Sequence, residues 1–223
     1  MNRRVDTELS PKLVSKILSN AYPKCGLFAK VLVKWRPFIC PFHEIVKFVP
    51  SNGSVLEVGC GVGLMSVLLA NLGMMRYGVG IDISESAIKV AKQAVFPKEC
   101  DLSFQHIGED ETWPGGFDTI VCIDVLHHIA RWKQHSFIKQ LASAYPGKTI
   151  VFKDISPKPL WKAATNTIHD LVLSHQRISI RSEKEVENWF KDEGLSIVRN
   201  VRMDTLWYSH YLIVAKKGSF QKR

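Results

Sequence analysis

The sequence predicts an α/β fold in which helices are wound onto both faces of a mainly parallel sheet. Apolar strand-like runs alternate with helical patterns from residue 54 onward. The first of these runs feeds a glycine-rich turn that passes straight into a helix, and later runs end in acidic residues. Strand–helix alternation of this kind is the pattern of βαβ units. The 223 residues are enough for one such domain with a full core, and 46% hydrophobic with 23% charged residues is the balance of a globular chain.

The elements follow in chain order. Leu9, Leu13, Ile17 and Leu18 recur at helical spacing, with Ser10-Pro11 as cap and first turn. A second, apolar-basic helix is expected from Leu27 to Phe38, carrying Phe28, Val31, Leu32 and Trp35 on one face and stopped by Pro37. Pro41 then opens a short helix through Phe42, Ile45, Val46 and Val49. Residues 1–50 thus read as a helical N-terminal extension and residues 51–223 as the α/β body. In the body, strands are expected at Ser54–Val58, Tyr77–Ile81, Leu102–Ile107, Phe117–Ile123 and Lys148–Lys153. Helices are expected at Leu64–Leu72, Glu85–Val95 and Trp132–Tyr145. The tail changes character. A helix at Glu183–Glu193 ends at Gly194, and strands at Leu195–Arg202 and Trp207–Lys216 predict an antiparallel hairpin that ends the sheet.

Charge and cysteine usage narrow the class. The net charge of +9 sits on the two ends: residues 1–50 hold nine Lys/Arg against three Asp/Glu, and Lys216, Lys217, Lys222 and Arg223 lie in the last eight residues without an acid. Such ends are either solvated termini or a basic surface for anionic lipid, nucleic acid or an acidic substrate. The five cysteines form no C-x-x-C pair, so they read as reduced thiols of a cytoplasmic protein, with neither a disulfide framework nor a metal site. The start, MNRRVDTELSPKL, carries no apolar secretory core, and the apolar stretches fall short of the ~18–20 residues of a membrane span.

The chemistry concentrates at strand ends. In Val55-Leu56-Glu57-Val58-Gly59-Cys60-Gly61-Val62-Gly63 a strand runs into three glycines and then a helix. Side chains must be absent where the backbone approaches a ligand, and the following helix start aims N–H groups at it. A dinucleotide site would need G-x-G-x-x-G, whereas here Leu64 follows G-x-G-x-G. The next strand ends in Asp82, where a carboxylate can accept both hydroxyls of a ribose, and Ile83 is placed to pack on an adenine face. Gly108-Glu109-Asp110 follows the third strand, so either Glu109 or Asp110 can meet an adenine amino group. The fourth strand leads into Asp124-Val125-Leu126-His127-His128.

As a set, VLEVGCGVG, the acid of GIDIS, FDTIVCIDVLHHI and the terminal hairpin resemble the successive motifs of class I S-adenosylmethionine-dependent methyltransferases. They are similar in particular to small bacterial enzymes near the ubiquinone/menaquinone methyltransferase group, over residues 52–215. The resemblance implies a Rossmann-like seven-stranded sheet with a reversed last strand and S-adenosyl-L-methionine across the strand C-termini. It implies roles for Glu57, Gly59, Cys60, Gly61 and Gly63 in shaping the methionine site, Asp82 at the ribose, Glu109 or Asp110 at the adenine and Asp124 near the methionine end. The loop after the third strand departs from the family pattern.

Methyl transfer needs alignment of donor and acceptor, and a hydroxyl acceptor also needs a base near neutral pH. His128 is the candidate base, the alternative being a capping or packing histidine; His127 reads as structural. Asp154, at the end of the fifth strand, and His169 with Asp170 beyond it either face the acceptor or form local caps and salt bridges. Tyr208 and His210 share a face of the last strand. The expected reaction is O-methylation of a small or lipid-linked acceptor in a biosynthetic pathway, with the N-terminal helices over the site or on an anionic membrane surface. RNA is the second acceptor class, motivated by the basic ends, although the chain has I-D-V-L-H-H where base-methylating enzymes commonly carry N-P-P-Y. A methyltransferase-fold protein that binds without catalysing is the third reading.

Overall fold

The structure is a computed structural model, and it describes residues 9–109, 111–143, 149–157, 179–205 and 209–217. Its strands are β1 (Gly53–Val58), β2 (Met75–Asp82), β3 (Asp101–His106), β4 (Thr119–Ile123), β5 (Thr149–Ile155), β6 (Leu195–Asp204) and β7 (Ser209–Lys217). They form one sheet in the order β3-β2-β1-β4-β5-β7-β6. The first five are parallel, and β7 lies antiparallel between β5 and β6. The expected hairpin is present, with the last strand inside the sheet and β6 at its edge. Strand order reverses beside β1, between β2 and β4, so the crevice of a doubly wound fold opens at the C-terminal ends of these strands.

The helices are α1 (Pro11–Ala21), α2 (Leu27–Ile39), α3 (Phe42–Ile45), α4 (Leu64–Asn71), α5 (Glu85–Ala91), α6 (Gln134–Ser143) and α7 (Glu183–Asp192), with 3₁₀ turns at Val46–Phe48 and Leu126–His128. Every position of β4 and β5 is buried, as expected where helices cover both faces of a parallel sheet. Alternation along β5 sends Val151 to one core and Ile150 and Phe152 to the other. The first core packs α1 to α5, and Leu64 to Ala70 of α4 are all buried in it. The second core packs Ile138 and Leu141 of α6 and Val186 and Phe190 of α7 against Leu56, Ile120 and Ile213.

The N-terminal helices are therefore part of the first core. Val14, Leu18, Tyr22, Val33 and Ile45 are each at most 1% exposed within it. Ser10 caps α1 by accepting from the Leu13 N–H, with Pro11 in the first turn.

Several boundaries differ from expectation for identifiable reasons. Pro37 lies buried inside α2 and does not stop it; the helix ends at Ile39, and the Cys40 N–H closes its last turn on the Arg36 carbonyl. A proline this near the C-terminus removes one N–H and leaves the earlier turns intact. α5 ends at Ala91, short of Val95, because the Val95 N–H is drawn to the Ala21 carbonyl at the end of α1. β5 continues two residues past Lys153, paired with β7. The capping box of Ser182 and Glu185 fixes the start of α7. His169, Asp170, Asp110, Tyr208 and the start of the expected Trp207–Lys216 strand lie outside the described residues. All five cysteines are buried free thiols. Among the described residues no helix is long and apolar enough to cross a membrane.

Candidate active site

The glycine turn after β1 sits in the crevice, and its three glycines are required for different reasons. Gly59, Gly61 and Gly63 all have positive φ, at 69°, 54° and 81°. A Cβ on Gly59 would stand 2.3 Å from Val125, and one on Gly63 would stand 2.5 Å from the Phe104 ring. Both glycines therefore answer to packing inside the protein. A Cβ on Gly61 would meet nothing within 4 Å. Its missing side chain leaves open space, which is where a ligand can approach the backbone closely.

The turn is held from below and from the side. Glu57 is buried and accepts from the Ser66 N–H at 3.0 Å and the Ser66 hydroxyl at 2.5 Å, tying β1 to the first turn of α4. Burial pushes the Glu57 carboxyl up to about 7, against the opposing pull of both Ser66 bonds. Tyr22, from the turn after α1, donates to the Val62 carbonyl at 2.6 Å. The Cys60 side chain packs into the protein. Its thiol is buried beneath the turn, where it would stand 2.9 Å from a Cβ on Gly80, and only its backbone belongs to the cradle.

Asp82 closes the other wall. Its carboxylate accepts from the Gly61 N–H at 2.7 Å and the Ser84 N–H at 2.8 Å, so it is oriented by the glycine turn itself. Each oxygen retains a lone pair for a further donor. Ile83 beside it is 63% exposed, an apolar surface beside the turn. Glu109 is ion-paired to Lys133 at 2.5 Å, across to the loop before α6.

Asp124, at the end of β4, is paired to two cations. It adopts φ 58°, and its carboxylate bonds to Lys153 at 2.5 Å and to Arg36 at 2.7 Å. Burial by itself would raise the Asp124 carboxyl. Lys153, and after it Arg36, outweigh burial and hold it well below the carboxylate range. Lys153 is fully buried, and Arg36 comes from α2, so the pair of ion bonds fastens the N-terminal extension to the strand ends. His210 belongs to this cluster. It is buried, bonded through Nε2 to the Ile39 carbonyl at 3.0 Å, and kept neutral by burial and Lys153, which push it down to about 3.

Asp154, next to Lys153 in β5, forms the local salt bridge that is the alternative to facing the acceptor. It is 2% exposed and receives the His127 ring Nδ1 at 2.5 Å, the His127 N–H at 3.2 Å and the Ile155 N–H at 2.6 Å. His127 is thereby the structural histidine expected, and His128 next to it is exposed, with the two rings 4.0 Å apart. Gln134, fully buried, donates to the carbonyls of Leu126, Ile129 and Ser179 and is itself gripped by Arg181. The turn carrying His128 is thus fixed from three sides. Asp124, His127 and Asp154 bring ligand atoms within 4.8 Å of one another, and the cations Lys153 and Arg36 already occupy Asp124.

Arg36, Lys153, Tyr22, Ser66 and Gln134 carry no motif. Each is joined to the site by contacts between elements, and the one signal open to the sequence is a buried polar residue in an otherwise apolar stretch, as with Lys153 in TIVFKDI.

Residues 34–200 match the family model described as a methyltransferase domain. The magnesium-protoporphyrin O-methyltransferase of Synechocystis is 27% identical over 188 residues, spanning 78% of this chain and 79% of the relative. A ubiquinone biosynthesis O-methyltransferase of Thiobacillus denitrificans is 30% identical over 101 residues, covering 40% of this chain and 43% of the relative. Among solved structures, the Synechocystis magnesium protoporphyrin IX methyltransferase with bound S-adenosylhomocysteine superposes with a TM-score of 0.63 at 23% identity, covering 87% of this chain and 89% of that one. A putative methyltransferase from Haloferax volcanii, in complex with its activator, reaches 0.68 at 15% identity, over 91% of this chain and 98% of that one.

Proposed function

The chain belongs to the methyltransferase-domain family, and from that premise we propose that it transfers a methyl group from S-adenosyl-L-methionine to an oxygen of a small or lipid-linked acceptor. The observation that carries the reading is the open space at Gly61 beside the Asp82 carboxylate, which suits a ligand with a hydroxyl-bearing sugar lying against the backbone. The bound cofactor supplies a methyl group on a cationic sulfur, open to in-line displacement. Gly59, Gly61 and Gly63 with the Cys60 backbone would hold its methionine part, and Asp82 its ribose hydroxyls. Ile83 would cover one adenine face, and Glu109 or Asp110 would meet the amino group. Glu57 and Asp124 act from behind, the first bracing the turn on Ser66 and the second fixing α2 to the strand ends.

His128 is the base of this reading. Its imidazole takes the proton of an acceptor hydroxyl, while Asp154 locks His127 beneath it and Gln134 holds the turn. The O-methyltransferase relatives support an oxygen acceptor. The test is calorimetry with S-adenosylhomocysteine and with NAD, followed by transfer of labelled methyl to phenolic and carboxylic acceptors. Asp82→Ala should weaken S-adenosylhomocysteine binding roughly 10–100-fold, the loss of a charge-assisted bond of about 1.5–3 kcal/mol. Binding of NAD, or undiminished affinity in a folded Asp82→Ala protein, would reject the assignment.

A further inference from the structure

Helix α2 is built inside out. Its inward face is made of the small residues Ala29 and Val33 with Pro37, all buried. Its outward face carries Leu27, Phe28, Val31 and Trp35, which are 80%, 77%, 51% and 56% exposed. Steps of three and four residues place these four on one stripe, with Phe38 tilted against Trp35 at 5.9 Å. Isolated exposed apolar residues are ordinary, but a contiguous stripe of large ones marks a surface that meets something.

The flanks say what. Between Leu9 and His43 there is no Asp or Glu, and there are six Lys/Arg. Of these, Lys24, Lys30 and Lys34 are exposed at or beside the stripe, and the Lys34 ammonium lies 6.0 Å from the Trp35 ring centroid. Arg36 is the exception, turned in to Asp124. An apolar stripe bordered by lysines whose stems can run along it is the make-up of a helix that lies in a lipid interface. A second copy of this chain fits poorly, because two-fold pairing of the stripe would set these lysines against one another.

We infer that the outer face of α2 docks on an anionic membrane, with Leu27, Phe28, Val31 and Trp35 entering the head-group layer and Lys24, Lys30 and Lys34 meeting lipid phosphates. The Arg36–Asp124 bond makes the docked helix continuous with the strand ends, so the crevice is held close to the bilayer, where a lipid-linked acceptor resides.

Cosedimentation of the full chain with vesicles tests this, with phosphatidylcholine alone and phosphatidylcholine containing phosphatidylglycerol. Binding should require the anionic lipid and fade as ionic strength rises, since attraction at the surface is screened over ~8–10 Å at physiological salt. Lys30→Gln with Lys34→Gln should weaken it about 20–30-fold, at roughly fivefold per lysine. Phe28→Ser with Val31→Ser should abolish it, while calorimetric binding of S-adenosylhomocysteine stays at the parent value in both variants. Vesicle binding needs no turnover, so its outcome is separate from that of methyl transfer. The inference is overturned by an absence of binding at low salt, by equal binding to neutral vesicles, or by retained binding in both variants, which would shift the contact to the basic ends. It is equally overturned if light scattering shows a lipid-free dimer that Phe28→Ser with Val31→Ser dissociates.

Discussion

Replacing Gly61 by alanine isolates the cofactor cradle from the fold. The new methyl would touch no protein atom within 4 Å, so the structural cost is confined to the backbone, held at φ 54°. An L-residue in the left-handed region costs about 1–2 kcal/mol. For a domain of this size each kcal/mol lowers the melting temperature by about 2–4 °C, so a fall of about 2–8 °C is expected. With the cofactor lying against the Gly61 backbone, as proposed, the same methyl stands in its path. Holding the cofactor away from the Gly61 backbone forfeits at least one hydrogen bond's worth of contact, ~1.4 kcal/mol or more, and so at least tenfold in affinity. Gly63→Ala is the contrast. There the methyl would lie 2.5 Å and 2.6 Å from Phe104 ring atoms and 3.3 Å from Ala91. Overpacking of about 1–3 kcal/mol then adds to the left-handed cost, and the melting temperature should fall about twice as far. Thermal melts with and without S-adenosylhomocysteine, paired with calorimetry, separate the two. A folded Gly61→Ala protein that binds S-adenosylhomocysteine as tightly as the parent refutes the cradle.

Two further outcomes follow from the geometry. His128→Ala should lower turnover by about 10²–10⁴ with S-adenosylhomocysteine affinity unchanged; equal losses of turnover, affinity and melting temperature would mark His128 as structural. Glu57 should impose a pH dependence on stability: its folded carboxyl is raised to about 7 by burial, so the folded state holds a proton that the unfolded state has released. Stability therefore declines as pH rises from about 4.5 to about 7 and is level above that, and Glu57→Gln, which still accepts from Ser66, should flatten the decline in urea titrations. An unchanged slope in the variant would place the titration elsewhere.

The residues legible in the sequence are those governed by local periodicity. The run Val55 to Gly63 announces strand, turn and helix because each step is decided within a few residues, and Asp82 is found because a strand end is a fixed place in this fold. Asp124 and Asp154 were equally visible as acids at strand ends, yet their carboxylates point to Lys153 and His127. Neighbouring positions of β5 face opposite cores, so Lys153 and Asp154 take different partners, Asp124 and His127, and the two carboxylates and the His127 ring converge within 4.8 Å at the strand ends. The order of strands, which no local pattern encodes, sets Asp82 and Asp124 at the ends of the two strands that flank β1. Pro37 shows the reverse case: the local rule that proline stops a helix gives way in a helix secured by burial of Ala29 and Val33.

The N-terminal helices were legible as helices but not as core. Deleting residues 1–40 would remove Val14, Leu18, Tyr22 and Val33, each at most 1% exposed. Burial of such side chains contributes about 1.5–3 kcal/mol each, so these four alone account for about 6–12 kcal/mol. That is comparable to the entire ~5–15 kcal/mol by which a domain is stable. The deletion would also strip Arg36 from Asp124, and the Tyr22 hydroxyl from the Val62 carbonyl in the glycine turn. The truncated chain is therefore expected to show no cooperative melt by circular dichroism and no binding of S-adenosylhomocysteine by calorimetry. A cooperative melt with retained binding would mean that the first core closes without α1 and α2, and that the extension is an appendage after all. Because α2 is buried inward and apolar outward, only substitutions on its outer face can test what that face does without dismantling the cradle beneath it.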